Sequence, residues 1–199
     1  MLSTILTLSL RARWLLVLLA AAVSAPAAEP ARYDYRVLAT SRTSTMEKEM
    51  NEAADAGFRF MGVMGGDTGF GGKEAVAVMG KDLSAAKPRR LKYKLLATSR
   101  TGTMQKEIQQ AGDEGFEYMD QTVFESTFGG KEVSVILERN VDEPAKRFEY
   151  KLLATSKTST MQKELLEAGK DGFEFLGMTV GETALGGSEV VCFLRKVVE

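Results

Sequence analysis

One short polar segment occurs three times in the chain, and it combines the groups that proteins use to bind anions. Each copy places a Ser, a cation and a Thr directly before a predicted helix. Hydroxyl groups, a cation and the free amides of a helix N-terminus are the usual components of a phosphate or sulfate site. The three candidate anion-binding turns are Ser41, Arg42 and Thr43; Ser99, Arg100 and Thr101; and Ser156, Lys157 and Thr158.

These residues also have a purely structural interpretation, which we favour. Ser and Thr cap helices and turns, so capping alone requires hydroxyl groups at such positions, while the cations remain solvated or pair with acids on the helix. A Ser or Gly lies three residues before Glu or Gln, which is typical of a capping box, and a Thr follows as a rival cap. The predicted caps are Ser44, Gly102 and Ser159, with Thr45, Thr103 and Thr160 as rivals.

Repeated acids flank a Gly-Gly pair in each copy and raise the question of a metal site or a catalytic carboxylate pair. Acids beside a hairpin are usually solvated or pair with cations across the strands. The chain has no His and one Cys, so the commonest metal ligand and acid–base residue is missing. We therefore expect no metal, no cofactor and no catalytic residues. The acids are Asp67, Glu125 and Glu182 before the glycines and Glu74, Glu132 and Glu189 after them.

The elements that position these residues form a unit repeated in tandem. The copies begin YRVLATSRTSTMEKE, YKLLATSRTGTMQKE and YKLLATSKTSTMQKE at Tyr35, Tyr93 and Tyr150, 58 and 57 residues apart. Aromatic and branched residues alternate with Arg or Lys in a first strand, and apolar residues then recur at helical spacing. The helix is predicted to stop at Gly57, Gly115 or Gly172, where a left-handed residue closes it. Two further strands follow, joined at the Gly-Gly turn.

The order strand, helix, strand, strand predicts an α+β fold of three βαββ repeats, residues 33–81, 91–139 and 148–196. A helical crossover makes the first two strands parallel, and the hairpin makes the third antiparallel to the second. The third strand then lies between the other two, which gives a split βαβ sheet of order 1-3-2 with its helix on one face. The linkers are short and contain Pro.

The repeats are expected to fold as one body, because a unit of this size buries too little surface to be stable alone. The third strands of the second and third repeats carry apolar groups on both sides. One helix covers only one face of a sheet. We therefore expect the second face to pack against the other repeats, around a pseudo-threefold axis with the helices outside, or against another subunit.

The first 27 residues have the pattern of an export signal. Two arginines precede an apolar stretch, and Ala25-Pro26-Ala27 is typical of a cleavage site. The apolar run is shorter than the roughly 20 residues of a spanning helix, and no later segment is apolar enough to cross a membrane. The formal net charge of −1 argues against a nucleic-acid partner. Cys192, in an apolar strand, is expected to be a core residue.

The end of each predicted helix resembles a small bacterial family known as domain of unknown function 4177. That family typically closes its helix with Gly-Trp-Glu-Leu. The corresponding runs here begin at Gly57, Gly115 and Gly172, and Phe replaces Trp in each. The resemblance implies the βαββ fold for most of residues 33–196, and it implies no catalytic residues, since the family has none assigned.

Together these observations predict an exported protein, periplasmic or secreted, that acts through binding or assembly and not through catalysis. Its partner is an unidentified protein or a second copy of the chain. The alternative is a small-molecule or anion receptor that uses the three Ser-Arg/Lys-Thr turns. A third possibility is an enzyme that uses Asp67, Glu125 or Glu182, which the sequence does not favour because no nucleophile stands beside a base.

Overall fold

The computed structural model describes residues 32–70, 72–85, 87–125, 131–182 and 187–198. The predicted export signal lies outside the described residues, as do the tips of the hairpins that contain Gly71, Gly129-Gly130 and Gly186. Residues Ala31–Glu199 form one compact unit.

Each repeat consists of a strand, a helix of 13 residues and a hairpin of two strands. The first repeat contains β1 (Tyr33–Thr40), α1 (Thr43–Asp55), β2 (Arg59–Thr68) and β3 (Gly72–Asp82). The second contains β4 (Leu91–Thr98), α2 (Thr101–Asp113), β5 (Glu117–Glu125) and β6 (Lys131–Asn140). The third contains β7 (Arg147–Thr155), α3 (Thr158–Lys170), β8 (Glu174–Glu182) and β9 (Ser188–Val198).

The three sheets have the predicted strand order, with the last strand of each repeat in the centre. The orders are β1-β3-β2, β4-β6-β5 and β7-β9-β8. Each central strand is antiparallel to both neighbours, so the outer strands are parallel to each other. The second strand of every repeat carries a register shift at the same place, between Phe60 and Gly62 in the first repeat. The α+β fold and the split βαβ sheets are confirmed.

The helices begin earlier than the capping-box pattern predicts. Each starts at a Thr, and the residue before it is a cation in extended conformation that makes no side-chain capping bond. The predicted caps at Ser44, Gly102 and Ser159, and the rivals one residue later, are therefore wrong. The hydroxyl that organises the turn belongs to the last strand residue, since Thr40 Oγ1 accepts a hydrogen bond from the amide of Arg42 at 3.1 Å. The turn before the helix is thus organised by a local bond to a strand side chain, and the helix start itself has no side-chain cap.

The helix ends follow the prediction. Gly57 has φ 87°, in the left-handed region that favours glycine, and Gly115 and Gly172 match it at 86°. The amide of Gly57 donates to the carbonyl of Ala54 at 2.8 Å, and the amide of Phe58 donates to the carbonyl of Ala53 at 3.0 Å. This pair of bonds is a Schellman motif, which satisfies the last helical carbonyls and turns the chain into the next strand.

The aromatic residue after that glycine explains the alternating cations of the first strand. The Arg36 guanidinium lies 4.2 Å from the centre of the Phe58 ring. Lys94 lies over Phe116 at 4.8 Å, and Lys151 lies over its counterpart in the third repeat at 4.3 Å. A cation at this distance is attracted by the negative face of the ring, so the strand and the helix end hold each other in every repeat.

Every sheet has a front face, which carries the helix of its own repeat, and a back face, which in the second and third repeats packs into the repeat before it. On β6, Val135 and Leu137 face the front and belong to a cluster with α2, whereas Ile136 faces the back and belongs to the cluster of the first repeat. On β9, Cys192 faces the front and Phe193 the back. The expectation that the second sheet face packs against other repeats is confirmed for the second and third repeats.

The repeats are therefore joined in series, and we call each front-to-back contact a joint. The first joint brings α1 against β4 and β2 against β5, and the second brings α2 against β7 and β5 against β8. Within the described residues, α3 makes no comparable contact with β1. Among the described residues one back face and one front face are thus left open, and these repeats do not close around a pseudo-threefold axis. No helix in the described part of the chain is long and apolar enough to cross a membrane.

Candidate functional site at the turns, the joints and the open ends

The three predicted anion-binding turns occupy equivalent positions at the helix N-termini. In each, the strand Thr accepts a hydrogen bond from the amide of the cation at 3.1 Å. The Ser and the cation side chains are exposed in all three turns. The turns are separate sites, one per repeat, and the structure does not bring their residues together.

The second turn already has an anionic neighbour from within the chain. Thr101 Oγ1 donates a hydrogen bond of 2.7 Å to a carboxylate oxygen of Glu189, which comes from the third repeat. A carboxylate beside a helix N-terminus is favourable because the N-terminal amides carry partial positive charge. This carboxylate satisfies the turn internally and would repel a second anion.

The repeated acids around the hairpins are not gathered into a site. Thr68 Oγ1 donates a hydrogen bond to the buried carboxylate of Glu74, on the neighbouring strand. Among the described residues, no group of three or more acids or cysteines could hold a metal ion. The side chains of Glu125 and Glu182 lie outside the part of the chain that the structure describes.

The joints are held by a tyrosine that the sequence analysis did not single out. The hydroxyl of Tyr93 accepts the amide of Phe60 at 2.8 Å across the first joint. The hydroxyl of Tyr150 accepts the amide of Tyr118 at 2.7 Å across the second and donates to the carbonyl of Phe116 at 3.0 Å. Tyr93 and Tyr150 are each 3% exposed. The sequence does contain a signal for these residues, because a Tyr is the first residue of every copy of the repeat.

Polar side chains of one helix also cover the open edge of the next first strand. Asn51 on α1 exchanges two hydrogen bonds with the backbone of Tyr93, at 2.9 and 3.0 Å. Glu47 accepts the amide of Leu95 at 2.8 Å. In the second joint Gln109 and Gln105 have these roles. An uncovered edge strand invites pairing with other chains, and the helix prevents this at β4 and β7.

Charged pairs distinguish the two joints. In the second joint Arg195 is bonded to Glu117 across the repeats. In the first joint Glu138 occupies the back-face position that is equivalent to Arg195. The positive charge of Arg59 favours its ionised form. Burial raises the pKa of Glu138 above its ordinary value, which outweighs the lowering by the Tyr93 hydroxyl that donates to it at 2.7 Å. Burial likewise raises the pKa of Tyr150, to about 12.

Two polar grooves lie beside the joints where the linkers pass. The first, of about 370 Å³, is lined in part by Phe58, Arg59 and Arg89, and the second is about 330 Å³. Both include Glu138 and Arg89. Their cations and acids neutralise each other in part, and neither groove places a nucleophile beside a base.

The open ends are the largest difference between repeats of nearly the same sequence. Tyr35, the equivalent of Tyr93 and Tyr150, is 57% exposed. At the other end Phe175 is 50% exposed, whereas its equivalents Phe60 and Tyr118 are 8% exposed. Further apolar side chains are exposed around each of them, namely Val37 at the first end and Leu166, Met178 and Val180 at the second.

Comparison of the chain with family models, with curated proteins and with solved structures gives no match. The resemblance to the bacterial family of unknown function therefore stays a prediction. What the chain does must be argued from its own surfaces.

Proposed function

We propose that this is an exported, non-enzymatic repeat protein that acts through binding or assembly. The observation that carries the proposal is the pair of apolar faces at the two ends of the series of repeats. Single exposed apolar residues are ordinary on protein surfaces, but a contiguous exposed group marks an interaction site. Terminal repeats of a solenoid usually carry a polar outer face for solubility, and these do not.

Export is proposed from the first 27 residues alone. Their charged start, apolar centre and Ala25-Pro26-Ala27 pattern are typical of a cleaved signal. Cell fractionation followed by N-terminal sequencing tests this. We expect the exported fraction to hold the protein, with a sequence that begins after Ala27, and full-length protein retained in the cytoplasm would contradict it.

Binding through the end faces is tested by photo-crosslinking in the cell. A photoreactive residue in place of Leu166 reports on the end of the third repeat, and one in place of Val37 reports on the start of the first. Phe70 is the matched control, because it is an exposed apolar side chain at a hairpin tip and belongs to neither face. We expect adducts from Leu166 and Val37 and none from Phe70. Absence of adducts from both end faces would refute the proposal.

The alternative is an anion receptor that uses the Ser-Arg/Lys-Thr turns. It is supported by the three exposed cations at helix N-termini that have no side-chain cap. Calorimetric titration with phosphate, sulfate and acidic sugars, on the native protein and on the triple variant Arg42→Ala, Arg100→Ala and Lys157→Ala, decides between the two. We expect equal heats near zero for both proteins, and saturable heat that the triple variant loses would favour the receptor.

A further inference from the structure

We propose that two copies of the protein join head to tail, with the back face of the first repeat of one copy seated on α3 and β8 of the other. This inference rests on the proposed function and names its partner. It follows from the fact that the chain already builds this contact twice inside itself.

The two internal joints use equivalent residues in equivalent contacts. In both, the tyrosine hydroxyl of a first strand accepts a hydrogen bond from a backbone amide at the start of the preceding hairpin, at 2.8 and 2.7 Å. In both, two polar residues one helical turn apart hydrogen-bond to the backbone of that first strand. Each of the two covered front faces is therefore covered by the back face of another repeat of this same chain.

The third joint has both of its halves present and neither occupied. The equivalent groups are the hydroxyl of Tyr35 at one end and the amide of Phe175 at the other. Tyr35 is exposed to 57%, against 3% for its two equivalents, and Phe175 to 50%, against 8%. The two halves lie at opposite ends of one chain, so a second copy can supply each half with its complement.

At the point where the next strand packs, the helix of the third repeat carries the same small residue as α2, and α1 carries the buried Ala54 there. In the second joint, a Cβ atom on Gly112 would lie 2.5 Å from the carbonyl oxygen of Phe148 and 2.8 Å from the ring of Tyr150. Gly169 is the equivalent residue of α3, and a Cβ atom there would meet nothing within 4 Å. A glycine inside a helix lowers its stability, and at Gly169 no contact with the described residues requires it.

One position differs and makes the open joint more apolar. Asn51 and Gln109 bind the next strand through their side-chain amides, whereas the equivalent residue of α3 is Leu166, which is 57% exposed. Gln162, the equivalent of Glu47 and Gln105, is retained. The joint between copies thus keeps one side-chain bond to the strand edge and replaces the other with apolar contact.

The contact joins two different surfaces and is heterologous. Such a contact produces a closed ring if the rotation between copies returns to the start, and an open fibre if it does not. A ring covers both apolar faces and the β1 edge of every copy, and a fibre covers them in all copies except those at its two ends. An isologous dimer of two α3 faces would leave Tyr35 and that edge exposed.

Two blocking variants test the polarity of the contact. Tyr35→Asp blocks the head and Phe175→Asp blocks the tail, and both replace side chains that are exposed within the chain. The protein is expressed from its complete sequence, purified from the cell fraction that holds it and measured by sedimentation velocity and light scattering. We expect the native mass to rise with concentration, and each blocked variant to associate at least about tenfold more weakly, as for a charge placed at an interface centre.

Mixing the two blocked variants gives the decisive result. Each retains one intact face, so an equimolar mixture is expected to form a species of two chains and nothing larger. Phe70→Asp is the control and is expected to assemble like the native protein, and far-UV circular dichroism checks that all variants fold. A native protein that stays a single chain at every concentration would overturn the inference, as would a Tyr35→Asp variant that still assembles. If the end faces crosslink only to another protein, self-assembly fails and the proposed function stands.

Discussion

Tyr93 and Tyr150 secure the joints because each hydroxyl lies where a backbone amide would otherwise be buried without a partner. Removing such a hydroxyl leaves a donor unsatisfied, which costs more than the hydrogen bond itself contributes. The same residue type at position 35 makes no such bond to any residue that the structure describes and is largely exposed. The same residue type therefore stabilises the fold at two equivalent positions and contributes little to the stability of the single chain at the third.

Tyr150→Phe is expected to lower the free energy of unfolding by about 1–3 kcal/mol, the cost of leaving the amide of Tyr118 and the carbonyl of Phe116 unpaired. Tyr35→Phe is the matched control and is expected to change it by less than about 0.5 kcal/mol, as at most surface sites. Urea unfolding of both variants measures the difference. Equal effects would contradict the role of the hydroxyl at the joint.

Glu138 is expected to make the first joint sensitive to pH. Since burial raises its pKa above the ordinary 4.5, its contribution to stability is greatest below that pH and is lost as the pH rises through the folded-state pKa. Glu138→Gln keeps an acceptor for the Tyr93 hydroxyl and removes the buried charge. We expect this variant to melt higher than the native protein at pH 7 and at the same temperature at pH 4.

Glu114→Gln is the control for that experiment, because the hydrogen bond from Lys94 lowers the pKa of Glu114. The stability from this acid is present above its ordinary pKa and is lost as the pH falls. Its removal is therefore expected to give no gain at pH 7. A gain for both variants would show a general charge effect instead of a local one.

At the scale of the element, the helix has two functions, since it covers the front of its own sheet and the edge of the next. The stripe of apolar residues, Met46 and Met50 in α1, serves the first function, and the polar residues beside it serve the second. A small residue one turn further on lets the next strand approach closely. α2 and α3 both carry this small residue but have different surroundings, because within the described residues only α2 has a following repeat packed against it.

Gly112→Ala and Gly169→Ala are expected to change stability in opposite directions. In α2 the new methyl group meets the Phe148 carbonyl and the Tyr150 ring, and overpacking of this kind costs about 1–3 kcal/mol. In α3 the space is open, so Ala is expected to stabilise the single chain by about 0.5–1 kcal/mol. Urea unfolding at low protein concentration measures both, and destabilisation by Gly169→Ala would contradict the open end.

At the scale of the whole molecule, stability is expected to be uneven along the chain. The clusters of the first two repeats each include residues from the following repeat, whereas the cluster of the third repeat contains only its own. Segments with fewer buried apolar contacts open more readily. The last helix is therefore the weakest point of the single chain.

Hydrogen exchange measured by mass spectrometry tests this expectation. We expect the amides of α3 to exchange faster than those of α1 and α2 in dilute protein. Protection of α3 is expected to rise at concentrations where the native protein assembles and to stay low in Phe175→Asp. Equal protection of the three helices in dilute protein would contradict the expectation that α3 opens more readily than α1 and α2.

The sequence by itself determined the elements, their order and the topology of each sheet. These follow from local signals that occur in all three repeats. Residues alternate with a period of two in the strands, apolar residues recur at helical spacing in the helices, and a left-handed glycine ends each helix. The helix starts were misjudged because Ser, Thr and their neighbours can cap at several adjacent positions, and the turn used the hydroxyl of Thr40 instead.

Only the tertiary structure decided which repeat touches which. Tyr35, Tyr93 and Tyr150 are the same residue in the same pattern, yet two are buried and one is exposed, because burial depends on whether another repeat precedes it in space. The physical reason is that a joint is made by residues from two repeats that lie far apart in the sequence, such as Asn51 and Tyr93, which are 42 residues apart. Local periodicity carries no information about contacts at that distance.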